Sequence, residues 1–184
     1  MNIKLYKEKN KFNWSKIENE ITNKMYESLT ETLSYSLTLV KEAYKIKDRQ
    51  LNLKDLTWQK DGKTVEDRII QYCQSIATII ELEEEPEESR LKHLLTYNLV
   101  RLLNTETMTI HNNAIWQILK DKAIYVEIWN EDDQCDGDCG CDVYFNHGKF
   151  LLSELKELPP YHPDCECYLV YYFKEKGEKN EKES

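Results

Sequence analysis

An α+β fold, with long N-terminal helices followed by a small β-rich subdomain, is predicted by three observations. Apolar residues recur at three- and four-residue spacing from Ile17 to Ile118. After Lys122 the pattern changes to alternation, rich in β-branched and aromatic residues. Five of the six cysteines fall in that second part, in two tight groups. The resulting boundaries are a helical region over 1–122, a β-rich subdomain over 123–173 and a tail over 174–184.

Ile17, Ile21, Met25, Leu29, Leu33, Leu37, Val40 and Tyr44 form one stripe of an amphipathic helix of about thirty residues, beginning near Asn13-Trp14-Ser15. A helix cannot bury such a stripe alone, so it lies against another element or another chain, and an intramolecular face is the simpler expectation. Residues 48–63 are polar, with Leu51, Leu53, Leu56 and Trp58 interspersed, and end in a turn signal at Asp61-Gly62. A second helix starts at Thr64, whose hydroxyl can cap the following amides, with Asp67 three residues on. It continues through Val65, Ile69, Tyr72, Ile76 and Ile80, and Cys73 within it reads as a small core side chain.

The acidic stretch 81–88 contains Pro86 and suits the first turn of a third helix and its dipole. This helix is predicted to run to about Lys122, with Leu91, Leu95, Leu99, Leu103, Ile110, Ala114 and Ile118 on one face. Glu106 falls on that face. A carboxylate there is costly unless hydrogen-bonded or paired, so it is expected to play a structural part, tied to a backbone amide or to Arg101 or Arg68. Ile124-Tyr125-Val126-Glu127-Ile128-Trp129 alternates as a strand. Residues 143–151 resemble a hairpin turning at Asn146-His147-Gly148. Residues 165–173 form the last strand, and the tail, composed of Lys, Glu, Gly, Asn and Ser, is expected to be disordered.

Charge and composition narrow the function classes. No stretch approaches ~18 uninterrupted apolar residues, so no membrane span is expected. The early lysines are followed by no apolar run of the kind a signal peptide needs, which points to the cytoplasm. Six cysteines in that compartment do not read as three disulfides. Net charge is −9, and residues 131–167 hold 10 Asp and Glu against 2 Lys. Gripping a phosphate backbone needs clustered Lys and Arg, so nucleic-acid contact by this end is not expected.

The cysteine groups are Cys135-Asp136-Gly137-Asp138-Cys139-Gly140-Cys141 and His162-Pro163-Asp164-Cys165-Glu166-Cys167. Tetrahedral zinc needs soft donors from two short loops, and Gly137 and Gly140 allow the first loop to wrap an ion. Pro159, Pro160 and Pro163 stiffen the approach to the second group. Six donors compete for four places. Cys135, Cys139, His162 and Cys165 are the expected ligands, with Cys141 or Cys167 as substitutes. Residues two apart on a strand share a face, so Cys165 and Cys167 could both meet the metal.

A thiolate-rich set makes zinc a poor Lewis acid, whereas a catalytic ion keeps a position open and has a general base nearby. Neither H-E-x-x-H nor the zinc-deaminase pattern H-x-E…P-C-x-x-C occurs. His93, His111 and His147 show no recognisable partners and suit surface or turn positions. The expectation is therefore a structural zinc that staples the β-rich end, and no enzyme.

Three stretches together carry a resemblance. They are Asp61-Gly62-Lys63-Thr64 leading into Arg68-Ile69, then Arg101 through Thr105-Glu106-Thr107 to Asn112, then the cysteine segment ending in His162-Pro163-Asp164-Cys165-Glu166-Cys167. In order and spacing, over residues 56–173, they resemble the phage head morphogenesis family, also called the minor head protein or Mu protein F-like family. Members show D-G-K-[ST], an R-T-E-T…N helix, a tryptophan-bearing strand (here Trp129), a D-x-x-C-x-x-C knuckle and a terminal H-P-x-C-R-C. Asn104 and Glu166 stand where the family has arginines, and three residues rather than two separate Cys135 from Cys139. The resemblance implies a virion protein associated with the portal or major capsid protein, inside the head, needed for assembly or genome delivery and present in the host cytoplasm while heads assemble. The alternative is a small zinc-stabilised intracellular binding or regulatory module outside any virion.

Overall fold

The structure is a computed structural model that describes residues 7–8, 11–46, 50–53, 56, 63–82, 88–130 and 148–173. Among these the fold is α+β. A two-stranded ladder, β1 (Lys7–Glu8) and β2 (Lys11–Phe12), precedes three helices: α1 (Trp14–Tyr44), α2 (Val65–Leu82) and α3 (Glu88–Leu119). A three-stranded antiparallel sheet follows, in the order β4 (Phe150–Leu151), β3 (Tyr125–Trp129), β5 (Tyr168–Tyr172). No helix among the described residues is long and apolar enough to cross a membrane.

The helix starts follow from local chemistry. Asn13 accepts from the Lys16 amide at 3.1 Å and caps α1, whose chain reverses at Lys45 in the left-handed region (φ 52°). At α2 the Thr64 hydroxyl oxygen accepts from the Asp67 amide (3.1 Å) while the Asp67 carboxylate accepts from the Thr64 amide (2.9 Å), a reciprocal box. The Thr64 hydroxyl also donates to that carboxylate, and these bonds hold Asp67 below the usual carboxylate range. α3 ends at Leu119, and one further turn carries the chain through Lys122, close to the expected end. Pro86 and the Asp61-Gly62 turn lie outside the described residues.

α3 is the hub, packed on α1, α2 and β5. One core fills the space between the helices. The α1 stripe from Ile17 to Leu33 meets Leu56, Ile69 and Cys73 of the middle segment, and Ile110 and Ala114 of α3. Burial pushes the Cys73 thiol up to about 11, with Glu18 adding to the shift, as suits the small core side chain expected. The second core lies under the sheet. Val126 and Ile128 of β3 and Leu169 and Tyr171 of β5 point inward onto Val40 of α1 and Ile115, Ile118 and Leu119 of α3. Leu37 and Leu51 touch both cores.

The strand expected at 124–129 is β3. It pairs with β5 from Tyr125↔Tyr172 to Trp129↔Tyr168, and with β4 at Tyr125↔Leu151 and Val126↔Phe150. Gly148 (φ +55°) leads into β4, and the expected first arm of that hairpin, 143–145, lies outside the described residues, as does the tail. The last strand is shorter than its apolar run. It starts at Tyr168, because residues 162–167 spend their backbone groups on a turn and on α3.

Candidate functional site

The terminal motif is held by one face of α3. His162 to Cys165 is a β-turn: the Cys165 amide donates to the His162 carbonyl at 3.2 Å, Pro163 occupies the second position, and Asp164 has φ +61° in the third. Proline at the second position and a left-handed third residue are what a type II turn requires. Asp164 then makes two contacts with α3. Its amide donates to the Thr105 hydroxyl oxygen (3.1 Å), and its carboxylate pairs with Arg101 (3.1 Å). Further along, the Asn112 amide donates both to the Met108 carbonyl and, at 3.0 Å, to the buried Cys167 carbonyl. Arg101, Thr105, Met108 and Asn112 follow the three- and four-residue spacing of one helix face. Replacing Asn112 by alanine removes this bond to the buried Cys167 carbonyl, and an expected loss of about 1–3 kcal/mol is checked by urea denaturation.

Glu106 lies on the adjacent face and points to α2. It is 1% exposed and pairs through both carboxylate oxygens with Nε and Nη2 of Arg68, itself 8% exposed. The remaining terminal nitrogen, Nη1, donates to the Lys63 carbonyl at 2.8 Å. Of the two arginines the sequence offered, Arg68 takes the carboxylate and Arg101 goes to Asp164.

Cys165 and Cys167 are 2% and 0% exposed. They precede β5 instead of sharing one of its faces, so the strand argument for them is replaced by the turn. His162 Nδ1 lies 2.8 Å from the Pro163 carbonyl, which can only accept, so Nδ1 carries a proton and, in the neutral ring, Nε2 carries the lone pair. A metal-ligating histidine bound through Nε2 has that tautomer, fixed by that kind of bond. The Asn130 side-chain amide lies 3.9 Å from Cys167 Sγ, at the end of β3. Cys135 is five residues further along, a distance of at most about 17 Å of extended chain. Thiol and imidazole are the donor types zinc takes. Cys135, Cys139 and Cys141 lie outside the described residues, and among the described residues no three His, Cys, Asp or Glu side chains gather as a metal ion needs.

His111 was expected at a surface or turn position without a partner, and its placement corrects that expectation. The Ser36 hydroxyl donates to the Thr32 carbonyl (2.8 Å), so its oxygen accepts from His111 Nδ1 at 2.9 Å across the α1–α3 interface. Ser36 is fully buried and the ring half-buried. A lone histidine between Ile110 and Asn112 gives no periodic signal. Ser36, one residue before Leu37 of the α1 stripe, was the available hint. His93 is exposed and stacks on Tyr97, and His147 lies outside the described residues.

Burial holds His111 below its ordinary value of 6.5. Unfolded His111 therefore binds a proton near that value while the folded ring does not. The stability this contributes is present above pH 6.5 and is lost as pH falls through the folded value. The melting temperature is expected to fall from neutral pH toward about pH 5, and the His111→Gln variant to show a shallower fall over that window.

Beside His111 a cleft of about 600 Å³ opens between α1, α3 and the segment leading into β5, with Glu31, Tyr35, Met108, Glu166 and Tyr168 among its walls. Comparison with family models, with curated proteins and with solved structures finds no match to this chain.

Proposed function

We propose that the chain is a phage minor head protein that acts in capsid assembly or genome delivery through contact with the portal or the major capsid protein. The observation that carries this reading is the meeting of the stretches on which the resemblance rests. Thr105 and Asn112 of the T-E-T…N helix hold Asp164 and Cys167 of the terminal motif, across 59 and 55 residues of sequence. Glu106 of the same helix binds Arg68, next to the Thr64 cap of the D-G-K-T stretch. Residues that carry a family signature and also depend on one another for a fold make a coherent signature, where chance matches would scatter.

In this reading zinc is structural, held by Cys135, Cys139, His162 and Cys165, with Cys141 or Cys167 able to substitute. When bound it supplies a cross-link between the segment after β3 and the turn before β5. The chain offers helix faces and a sheet for contact, and the proposed work is assembly and not catalysis.

The experiment is mass spectrometry of purified heads and procapsids from the phage whose genome encodes the chain. The chain is expected in both at a few copies per particle. Its absence from both, with a gene lying away from portal, scaffold and capsid genes, would overturn the reading in favour of a zinc-stabilised intracellular module.

A further inference from the structure

We infer that the cleft between α1 and α3 is a docking site for an arginine-bearing segment of a partner protein. The inference stands on the cleft itself and holds whether or not the chain belongs to a virion.

Its walls supply two exposed carboxylates, Glu31 from α1 and Glu166 from the terminal motif, and two tyrosines, Tyr35 and Tyr168. Among the described residues no lysine or arginine lines it. Arg101, on α3 against the terminal motif, is paired with Asp164. His111, the titratable wall on α3, is kept neutral near pH 7 by burial, so among the described residues the carboxylates of the walls, Glu31 and Glu166, set a negative charge. Carboxylates on a concave, partly apolar surface concentrate their field in the opening and draw in cations. A phosphate or nucleic acid is repelled by the same field.

The shape selects among cations. A guanidinium is planar, takes a carboxylate through two parallel N–H donors and stacks on an aromatic face, and this cleft presents both partners. A compact ammonium would leave the ring faces unused. The volume, about 600 Å³, exceeds what one side chain fills. The α1 wall runs from Ser28 to Tyr35, about two helical turns or ~10 Å, which matches about three residues of extended chain. Tyr35 is 63% exposed at the rim, a large ring left open to solvent where an incoming segment would cover it.

Binding of a capped Gly-Arg-Gly-Arg-Gly peptide to the full chain is to be measured by calorimetry in about 50 mM salt, where surface charge is incompletely screened. Its counterpart has citrulline for each arginine, which keeps the shape and removes the charge. The arginine peptide is expected to bind, the citrulline peptide about tenfold or more weaker. The Glu31→Gln/Glu166→Gln variant is expected to lose about tenfold or more for the arginine peptide. Because the protein is acidic throughout, a Glu42→Gln/Glu154→Gln variant carries the same charge change at exposed positions away from the cleft and should retain binding. All four glutamates are exposed, so both variants should melt as the parent does. Equal loss in the two variants, equal binding of the two peptides, or no binding of the arginine peptide would each overturn the inference.

Discussion

Arg68→Ala is expected to lower the unfolding free energy by about 3–5 kcal/mol, roughly a fifth or more of the stability a domain ordinarily has. The size follows from what is left behind. Glu106 lies within α3 at 1% exposure, and both its carboxylate oxygens take their donors from Arg68. Without the guanidinium the carboxylate loses its bidentate counter-charge in a low-dielectric interior, and the bond from Arg68 to the Lys63 carbonyl at the start of α2 is lost as well. Glu106→Gln should cost less. The amide keeps the shape and one acceptor, and Arg68 stays anchored to the Lys63 carbonyl. The informative variant is the double replacement Arg68→Met with Glu106→Leu. Removing both charges removes the desolvation cost along with the attraction, so the pair should recover most of the loss. Urea denaturation of the parent, Arg68→Met, Glu106→Leu and the double variant measures the coupling. A loss below about 1 kcal/mol for Arg68→Ala would mean that Glu106 is solvated or protonated in solution, and that the pair does not tie α2 to α3.

Which parts of this were legible in the sequence depends on the range over which each interaction acts. The caps at Asn13 and at Thr64-Asp67 bond residues three apart, so their machinery sits within one short window, and the helix start near Asn13 and the Thr64 cap were both legible. The same holds for the α1 stripe and for β3, where burial repeats with the element's own period. Glu106 was legible as an anomaly, a charge on an apolar face, and the anomaly correctly announced a partner. The choice between Arg68 and Arg101 was not legible, because it depends on the register in which α2 packs on α3. The same is true of Ser36 with His111, 75 residues apart, each an ordinary polar residue until two helices cross. The turn before β5 misled for a different reason. Cys165, Cys167 and the residues after them alternate as a strand does, but Pro163 and the left-handed Asp164 start a turn, and Asn112 takes the Cys167 carbonyl. Alternation predicts faces and is silent about which backbone groups a neighbouring helix will claim.

The second large effect concerns zinc. Protein purified without added metal is expected to hold one zinc per chain, and a strong chelator to remove the cooperative melting of the sheet end. Structural zinc contributes about 10–16 kcal/mol of apparent binding free energy in small domains, as much as or more than the whole stability of an ordinary domain. The effect should be confined. The helical core from Ile17 to Ala114 has its own apolar contacts and the Arg68–Glu106 tie, so helical circular dichroism should largely survive while near-ultraviolet signal from Trp129 and the β5 tyrosines is lost. Cys165→Ser and His162→Ala should each lower zinc content to well below one per chain. Cys73→Ser is the control, since that thiol lies in the helical core, and it should leave zinc content unchanged. Variants of Cys141 and Cys167 then sort the donors: whichever of them retains full zinc when replaced is a substitute and not a resident ligand. If the metal-free protein melts as the parent does, the buried Cys165 and Cys167 are packing residues. The turn would then depend on its contacts with α3 at Arg101, Thr105 and Asn112, and the double variant Thr105→Ala/Asn112→Ala should destabilise the sheet end that chelation had spared.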